Sequence, residues 1–197
     1  MSKSDPSSSK KERNKTIRWV VTIFFVTIFI SALITFVSNE LMALSTIYVA
    51  FIILLVIVLI GIIFDVIGVA VTSADEKPFH SMAARKVPGA QEAIKLLRSA
   101  EKGSSICNDV IGDICGVVSG SASAAIAAQV LVKFESIPDV VLSLLMSALV
   151  AGLTVGGKAM GKTFAINSCT VIVQSVGRII WGFGNIPALF RKKKNNS

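Results

Sequence analysis

The residues of this sequence best suited to chemistry are three aspartates that interrupt long apolar segments: Asp65, Asp109 and Asp113. A carboxylate at the centre of a membrane-spanning helix costs about 2.5–3.5 kcal/mol on insertion scales, so such residues normally face a protein interior or a water-filled cavity. Three carboxylates that meet in a low dielectric repel one another unless a cation, protons or a lysine lies between them. Oxygen ligands suit a hard cation such as Mg²⁺ or Ca²⁺. The three acids therefore predict a cation site.

The spacing of these acids places them at similar depths. Asp65 and Asp113 each lie about nine residues from the charged end of their apolar segments, or roughly 13 Å at 1.5 Å per residue. Asp109 precedes Asp113 by four residues, so the two share a helix face. Small residues continue that face, which favours close approach of another helix: Gly116, Gly120 and Ser123. A second, adjacent stripe consists of Asn108, Gly112, Cys115 and Ser119.

The expected ligand set follows from these positions. We expect Asp65, Asp109 and Asp113 as charged ligands, Asn108 as a neutral oxygen ligand, and backbone oxygens near Gly112 and Gly156 to complete the shell. The pair Gly156-Gly157 could break its spanning helix and free carbonyls for a cation, as broken helices in transporters do. Lys158 lies too near the end of its segment to reach Asp113 easily, but is within reach of Asp109. The alternative is that the acids support helix packing, or pair with lysine or backbone groups, without a transport role.

Four apolar segments are long enough to position these residues in a membrane, since about 20 residues span the hydrocarbon core. They predict an all-α polytopic membrane protein with four transmembrane helices, at about 17–37, 45–73, 104–132 and 140–157. Amphipathic juxtamembrane helices are expected at about 78–101 and 164–190, the latter with Trp181 and Phe183 at the interface. Residues 1–16 are expected to form a disordered basic tail, and residues 191–197 a second basic tail.

Composition agrees with a membrane protein, since 53% of the 197 residues are hydrophobic and 16% are charged. A soluble domain has about 25% charged residues. The net charge of +8 does not indicate nucleic-acid binding, because the basic residues cluster at the ends of apolar segments. No nucleophile–histidine pair, phosphate-binding loop or haem ligand set is present, so we do not expect an enzyme.

The distribution of basic residues predicts the orientation. Of the 20 Lys and Arg residues, six lie in the N-terminal segment through Arg18, six in the loop 74–103, seven in residues 158–194, and one, Lys133, on the opposite side. Cytoplasmic loops carry the excess of Lys and Arg. We therefore expect an integral protein of a bacterial plasma membrane, with both termini cytoplasmic.

Three segments resemble motifs of the CorB/CorC/cyclin-M magnesium transporters, over roughly residues 45–190. The stretch FDVIGVAVTSADEKPFHSMAARKVPGAQEAIKLL, from Phe64, is similar to the family's first helix and the basic juxtamembrane helix after it. NDVIGDI, from Asn108, resembles Asn-Asn-Leu-Val-Asn-Ile of the second helix, and TVGGKAMGK, from Thr154, resembles Glu-x-x-Pro-Lys-x-x-Gly-Lys after the third.

The resemblance implies a homodimer of three-helix protomers with an inward-facing Mg²⁺ site built from Ser, Asn and backbone oxygens. The family's motif Ser falls on Asp65, its first two Asn on Asn108 and Asp109, and its last Asn on Gly112 or Asp113. This site is thus more acidic than the family's. The family's Glu and Pro fall on Thr154 and Gly157. The helix at 17–37 has no counterpart in the family's core, and the CBS pair and C-terminal domain are missing from this sequence.

These observations predict binding and transport of a divalent cation, Mg²⁺ first, with membrane lipid and a second copy of the chain as partners. One alternative is a non-transporting membrane adaptor or regulatory subunit, with a cytoplasmic partner. The other is a proton- or sodium-coupled exporter that uses the same acids.

Overall fold

The fold consists of helices alone over the described part of the chain. The computed structural model describes residues 6–43, 45–132 and 138–194, with side chains for 16–42, 45–132, 138 and 140–184. The helices are α1 (Pro6–Ala43), α2 (Ile47–Ser73), α3 (Lys77–Ala84), α4 (Ala90–Arg98), α5 (Ala100–Ser105), α6 (Asp113–Leu131), α7 (Asp139–Asn167) and α8 (Cys169–Lys194), with a π-helical turn (Ile106–Gly112) between α5 and α6. The prediction of an all-α protein is confirmed.

Four helical segments of the described chain are long and apolar enough to cross a membrane: Thr16–Met42, Ile47–Ser73, Ala100–Leu131 and Val140–Asn167. The number of four spans matches the sequence-based prediction. The last of them continues ten residues beyond the expected end at residue 157, because Gly156 and Gly157 do not interrupt α7. The apolar part of α8, Cys169–Gly184, is shorter than these four segments.

The N-terminal helix begins earlier than the apolar pattern indicates. Residues 1–16 were expected to be disordered, whereas α1 starts at Pro6 and runs without interruption into the apolar segment. Lys and Glu have high helix propensity, and an existing helix extends at little cost, so a polar segment such as KKERNK continues it. Residues 1–5, Lys133 and residues 195–197, to which the sequence analysis also assigned roles, lie outside the described residues.

The centre of the bundle is α2, which packs against α6, the π-helical turn and α7. Two glycines of α7 allow the close approach to α2: a Cβ built at Gly157 would meet Ile62, and one at Gly161 would lie 2.6 Å from Val66. Small residues at such crossings are usual in membrane helix packing. The first helix lies on the outside, where Ile23 and Ile30 pack against buried side chains of the π-helical turn and α6.

The short helices α3 and α4 lie with α8 against the last turns of α2, and we call this end of the molecule the loop end. Phe79 and Ala93 are buried there with Val71 and Val173. Gly89, which adopts the left-handed conformation at φ 85°, precedes α4 and lies directly against the backbone of Gly177 in α8. The two expected juxtamembrane segments therefore pack on each other as well as on α2.

Candidate functional site

The stretch that carries two of the predicted acids forms a π-helical turn. Residues Ile106–Gly112, ICNDVIG, adopt i→i+5 hydrogen bonding between α5 and α6. Such turns are rare, occur mostly as single insertions within α-helices, and are frequent at functional sites. The irregular helix was expected at Gly156-Gly157; α7 is continuous there, and the irregularity lies instead at Asn108–Gly112.

One face of α2 lies against this turn. Gly61, Asp65 and Gly68 are buried on that face. A Cβ built at Gly61 would lie 2.8 Å from the Cβ of Cys115 and 3.8 Å from the carbonyl oxygen of Gly112. A Cβ built at Gly68 would lie 2.6 Å from the Cγ of Asn108. Asp65 is therefore held between two glycines that bring α2 into direct contact with the turn.

The carboxylate of Asp65 forms an ion pair with Lys158 of α7. Its Oδ1 atom lies 3.7 Å from the lysine Nζ, and the exposed fractions of the two side chains are 8% for Asp65 and 23% for Lys158. The lysine Nζ also lies 3.4 Å from the position that a Cβ of Gly112 would take. The site thus combines one side chain from α2, one from α7 and the backbone of the turn.

Two buried acceptor oxygens at this site make no hydrogen bond within the described chain. They are Oδ2 of Asp65 and Oδ1 of Asn108. The amide nitrogen of Asn108 donates to Oγ of Ser104 at 3.2 Å, which orients the amide with its oxygen towards Gly68. Buried polar atoms without a partner are costly, and each calls for an explanation. Both atoms are oxygens, so both suit a cation or a proton donor.

Asp109 and Asp113 do not join this site in the single chain. Both side chains are exposed on the outer surface of the π-helical turn and α6. Among the described residues, no three His, Cys, Asp or Glu side chains lie close enough together to hold a metal ion. The expected cluster of three carboxylates is therefore wrong for one protomer. The reason is that α2 contacts the stripe of Asn108, Gly112 and Cys115 instead of the acidic stripe beside it.

Gly156 is also remote from the contacts that define the site. It is exposed, and a Cβ built on it would meet nothing within 4 Å. Because α7 is continuous from Asp139 to Asn167, the backbone carbonyls around Gly156 belong to a regular helix. The expectation that Gly156 supplies a backbone ligand therefore gains no support from a helix break and stays a prediction. Gly112, in contrast, is buried beside the Lys158 ammonium.

The sequence analysis missed the role of Lys158. It considered contacts of this lysine with Asp109 and Asp113 but none with Asp65. The missed signal is the position of Lys158 in the chain. Lys158 directly follows Gly157, and Gly157 contacts Ile62, which precedes Asp65 by three residues on α2. Two parallel helices in contact at Gly157 and Ile62, and again at Gly161 and Val66, place residues 158 and 65 about two residues, or roughly 3 Å, apart along the helix axes, within reach of a lysine side chain.

A cleft lies between α6 and α7. Its volume is about 180 Å³, and it is lined by small and hydroxyl side chains that include Gly116, Ser119, Ser123, Ser147 and Thr154. The hydroxyls of Ser119, Ser123 and Thr154 donate to carbonyls of their own helices. Their oxygen lone pairs are therefore the polar groups that these residues offer to the cleft.

Comparison with known proteins gives no relative from which a function could be transferred. No protein-family model matches the sequence, no curated protein matches it, and no solved structure matches it. The proposals that follow therefore rest on the geometry of the chain itself and on the resemblance described above.

Proposed function

We propose that this protein binds a cation and transports it across a membrane, with Asp65 as the charged ligand and Asn108 as a neutral ligand. The observation that carries the proposal is the pair of buried, unpartnered oxygens, Asp65 Oδ2 and Asn108 Oδ1, on two helices that glycines bring into contact. An ionisable residue inside a membrane segment is by default a candidate functional site. A π-helical turn at the same position adds support.

Mg²⁺ is the first ion to test. It prefers oxygen ligands, keeps several waters, and is usually bound through one or two carboxylates instead of a complete protein cage. One carboxylate, one amide oxygen and the backbone near Gly112 suit such a partly hydrated ion. The resemblance to the CorB/CorC/cyclin-M transporters supports the same choice, and membership of that family is itself part of the proposal.

The test measures cation-dependent stabilisation and then flux. Purified protein in detergent should unfold at a higher temperature as MgCl₂ is added, because a ligand that binds only the folded state stabilises it. Asp65→Asn should abolish this increase, whereas Glu101→Gln, which removes an exposed carboxylate of α5, should retain it. An equal Mg²⁺ effect in wild type and Asp65→Asn would refute the site. Mg²⁺ flux into proteoliposomes then distinguishes transport from binding.

The Asp65–Lys158 ion pair favours a second candidate, a proton- or sodium-coupled exporter. A carboxylate and the ammonium group paired with it have little net charge together. Such a pair therefore suits the exchange of a monovalent cation better than the binding of a divalent one. For this candidate, transport should respond to a pH or Na⁺ gradient in the absence of Mg²⁺. Stabilisation by Na⁺ but not by Mg²⁺ would select it.

Stabilisation without flux would support the remaining alternative, a membrane adaptor or regulatory subunit. In this alternative, regulation would come from a cytoplasmic partner. Co-purification from membranes, with Asp65→Asn as the comparison, would show whether such a partner depends on the site.

Homodimer formation and orientation belong to the same proposal. Asp109 and Asp113 are exposed within a segment long enough to span a membrane, and charged side chains there normally face protein or water. A second copy of the chain would cover them. Cysteines placed at residue 109 or 113 in a chain without native cysteines should then cross-link. The charge distribution supports a cytoplasmic position for the loop end, and a cysteine at Lys86 should then react with impermeant reagents only in inverted vesicles.

A further inference from the structure

We infer that Lys158 is an internal competitor for the cation: it occupies Asp65 in the empty protein and transfers to Asp109 or Asp113 when a cation binds. The inference rests on the proposed function. It adds the residue that determines which cations Asp65 accepts, and it gives the two outer acids a role that does not require them to be ligands.

The contact between Lys158 and Asp65 is loose enough for exchange. The Nζ–Oδ1 distance of 3.7 Å lies near the outer limit for an ion pair, and Asp65 Oδ2 remains without a partner. Lys158 donates no hydrogen bond to any described residue outside this pair. Its side chain is about three times as exposed as that of Asp65, 23% against 8%. The ammonium group is therefore attracted by Asp65 without being fixed there.

The surroundings of the lysine offer it a second destination. Its Nζ lies beside Gly112, at 3.4 Å from where a Cβ would be. Asp113 follows Gly112 in the chain, and Asp109 lies three residues before it. Both residues are exposed, and their carboxylates form no ion pair in the described chain. Lys158 is thus paired with the inner carboxylate and lies beside the turn that carries the two outer ones.

Electrostatics then links cation binding to movement of the lysine. A cation at Asp65 Oδ2 and an ammonium group at Asp65 Oδ1 would repel each other strongly in a partly buried site. Transfer of Lys158 to the outer acids relieves the repulsion and keeps both positive charges paired. Neutralising the outer acids should therefore weaken cation binding only when Lys158 is present. If the outer acids were direct ligands, the same change would weaken cation binding with or without the lysine.

The test is a cycle of variants read by cation-dependent stabilisation, with MgCl₂ and NaCl titrated separately. Lys158→Met should tighten binding about tenfold, a size usual for coupling between two ligands of one protein. Asp109→Asn/Asp113→Asn should weaken binding by a similar factor in the lysine-containing protein and have no effect in the Lys158→Met background. Equal weakening in both backgrounds would overturn the exchange and make the acids ligands.

A second measurement needs no cation. With Asp65→Asn, the lysine loses its inner partner and should pair with the outer acids. Adding Asp109→Asn/Asp113→Asn should then lower the unfolding temperature further than the same double change does in wild type, and Glu101→Gln should not. If the effects of Asp65→Asn and of the double change on the unfolding temperature are additive, the exchange is overturned even if cation binding is confirmed. Absence of any cation effect in wild type, with the non-additive pattern retained, would refute the proposed function and leave the lysine's movement established.

Discussion

Gly68 on α2 leaves the space in which the side-chain amide of Asn108 lies, since a Cβ at position 68 would approach the Asn108 Cγ to 2.6 Å. The absence of a side chain at Gly68 therefore determines where the Asn108 amide can lie. The amide is the end of a rotatable side chain, so it has to turn away when the space is filled. Its oxygen would then leave the site beside Asp65.

The first prediction follows from this contact. Gly68→Ala should lower the unfolding temperature only modestly, because overpacking costs about 1–3 kcal/mol and alanine regains up to about 1 kcal/mol of helix propensity. The cation-dependent stabilisation should be largely lost, because Asn108 is displaced. Gly152→Ala is the matched control: a Cβ there meets nothing within 4 Å, and the cation effect should remain. A normal cation response in Gly68→Ala would exclude Asn108 as a ligand.

The second prediction concerns the buried ion pair. Removing one partner of such a pair typically destabilises a protein by about 3–5 kcal/mol, because the other charge remains buried alone. Lys158→Met should approach this range, because the Asp65 side chain is only 8% exposed, and Asp65→Asn should cost less, since the remaining Lys158 is the more exposed partner at 23%. The double variant should recover most of the loss. Chemical denaturation of all four proteins in one detergent measures the coupling energy, and a coupling near zero would mean that the two charges do not interact.

The sequence predicted the four long apolar helices, because they depend on the length and polarity of continuous segments. It did not predict which face of the third span lies inside. The sequence shows Asn108 and Gly112 on one stripe and Asp109 and Asp113 on the stripe beside it, and the cost of carboxylates in a membrane segment favours the acidic stripe as the inner one. Packing decided otherwise, since Gly61 and Gly68 of α2 fit the Asn108 stripe and Ile23 of α1 covers another face.

Two further differences have local causes. A π-helical turn shifts the register of the residues after it, and no composition signal distinguishes ICNDVIG from an ordinary helix. The pairing of Lys158 with Asp65 depends on how far α7 slides along α2, which the contacts of Gly157 and Gly161 fix. Such contacts between distant segments cannot be read from the periodicity of either helix alone.

The third prediction tests the contact that sets this packing. A Cβ at Gly61 would lie 2.8 Å from the Cβ of Cys115, so both atoms are fixed to the backbone and neither can turn away. Gly61→Ala should therefore destabilise by about 1–3 kcal/mol. Cys115→Gly in the same protein should restore part of the stability by removing the opposing Cβ, whereas Cys115→Ser should not. Rescue by serine would mean that the clash involves the sulfur atom instead.

The last prediction concerns the loop end, where α4 and α8 meet through their backbones. A Cβ at Gly177 would lie 3.0 Å from the Cβ of Ala93 and would collide with the carbonyl oxygen of Gly89. Gln174 of α8 also donates to the carbonyl of Pro88 at 3.0 Å. Gly177→Ala should therefore separate the two helices. Trp181, which lines the cavity of about 460 Å³ between them, reports the separation.

In a Trp19→Phe background, which leaves Trp181 as the only tryptophan of the two in the chain, its fluorescence should shift to longer wavelength in Gly177→Ala. Gly182→Ala lies on the same helix, and a Cβ there meets nothing within 4 Å, so it should leave the emission unchanged. Because this contact joins α4 and α8 and includes none of the residues of the ion-pair site, Gly177→Ala should keep the cation response. Loss of the cation response together with the spectral shift would show that α8 and the ion-pair site move as one unit. An unshifted spectrum would mean that α4 and α8 do not meet through these glycines.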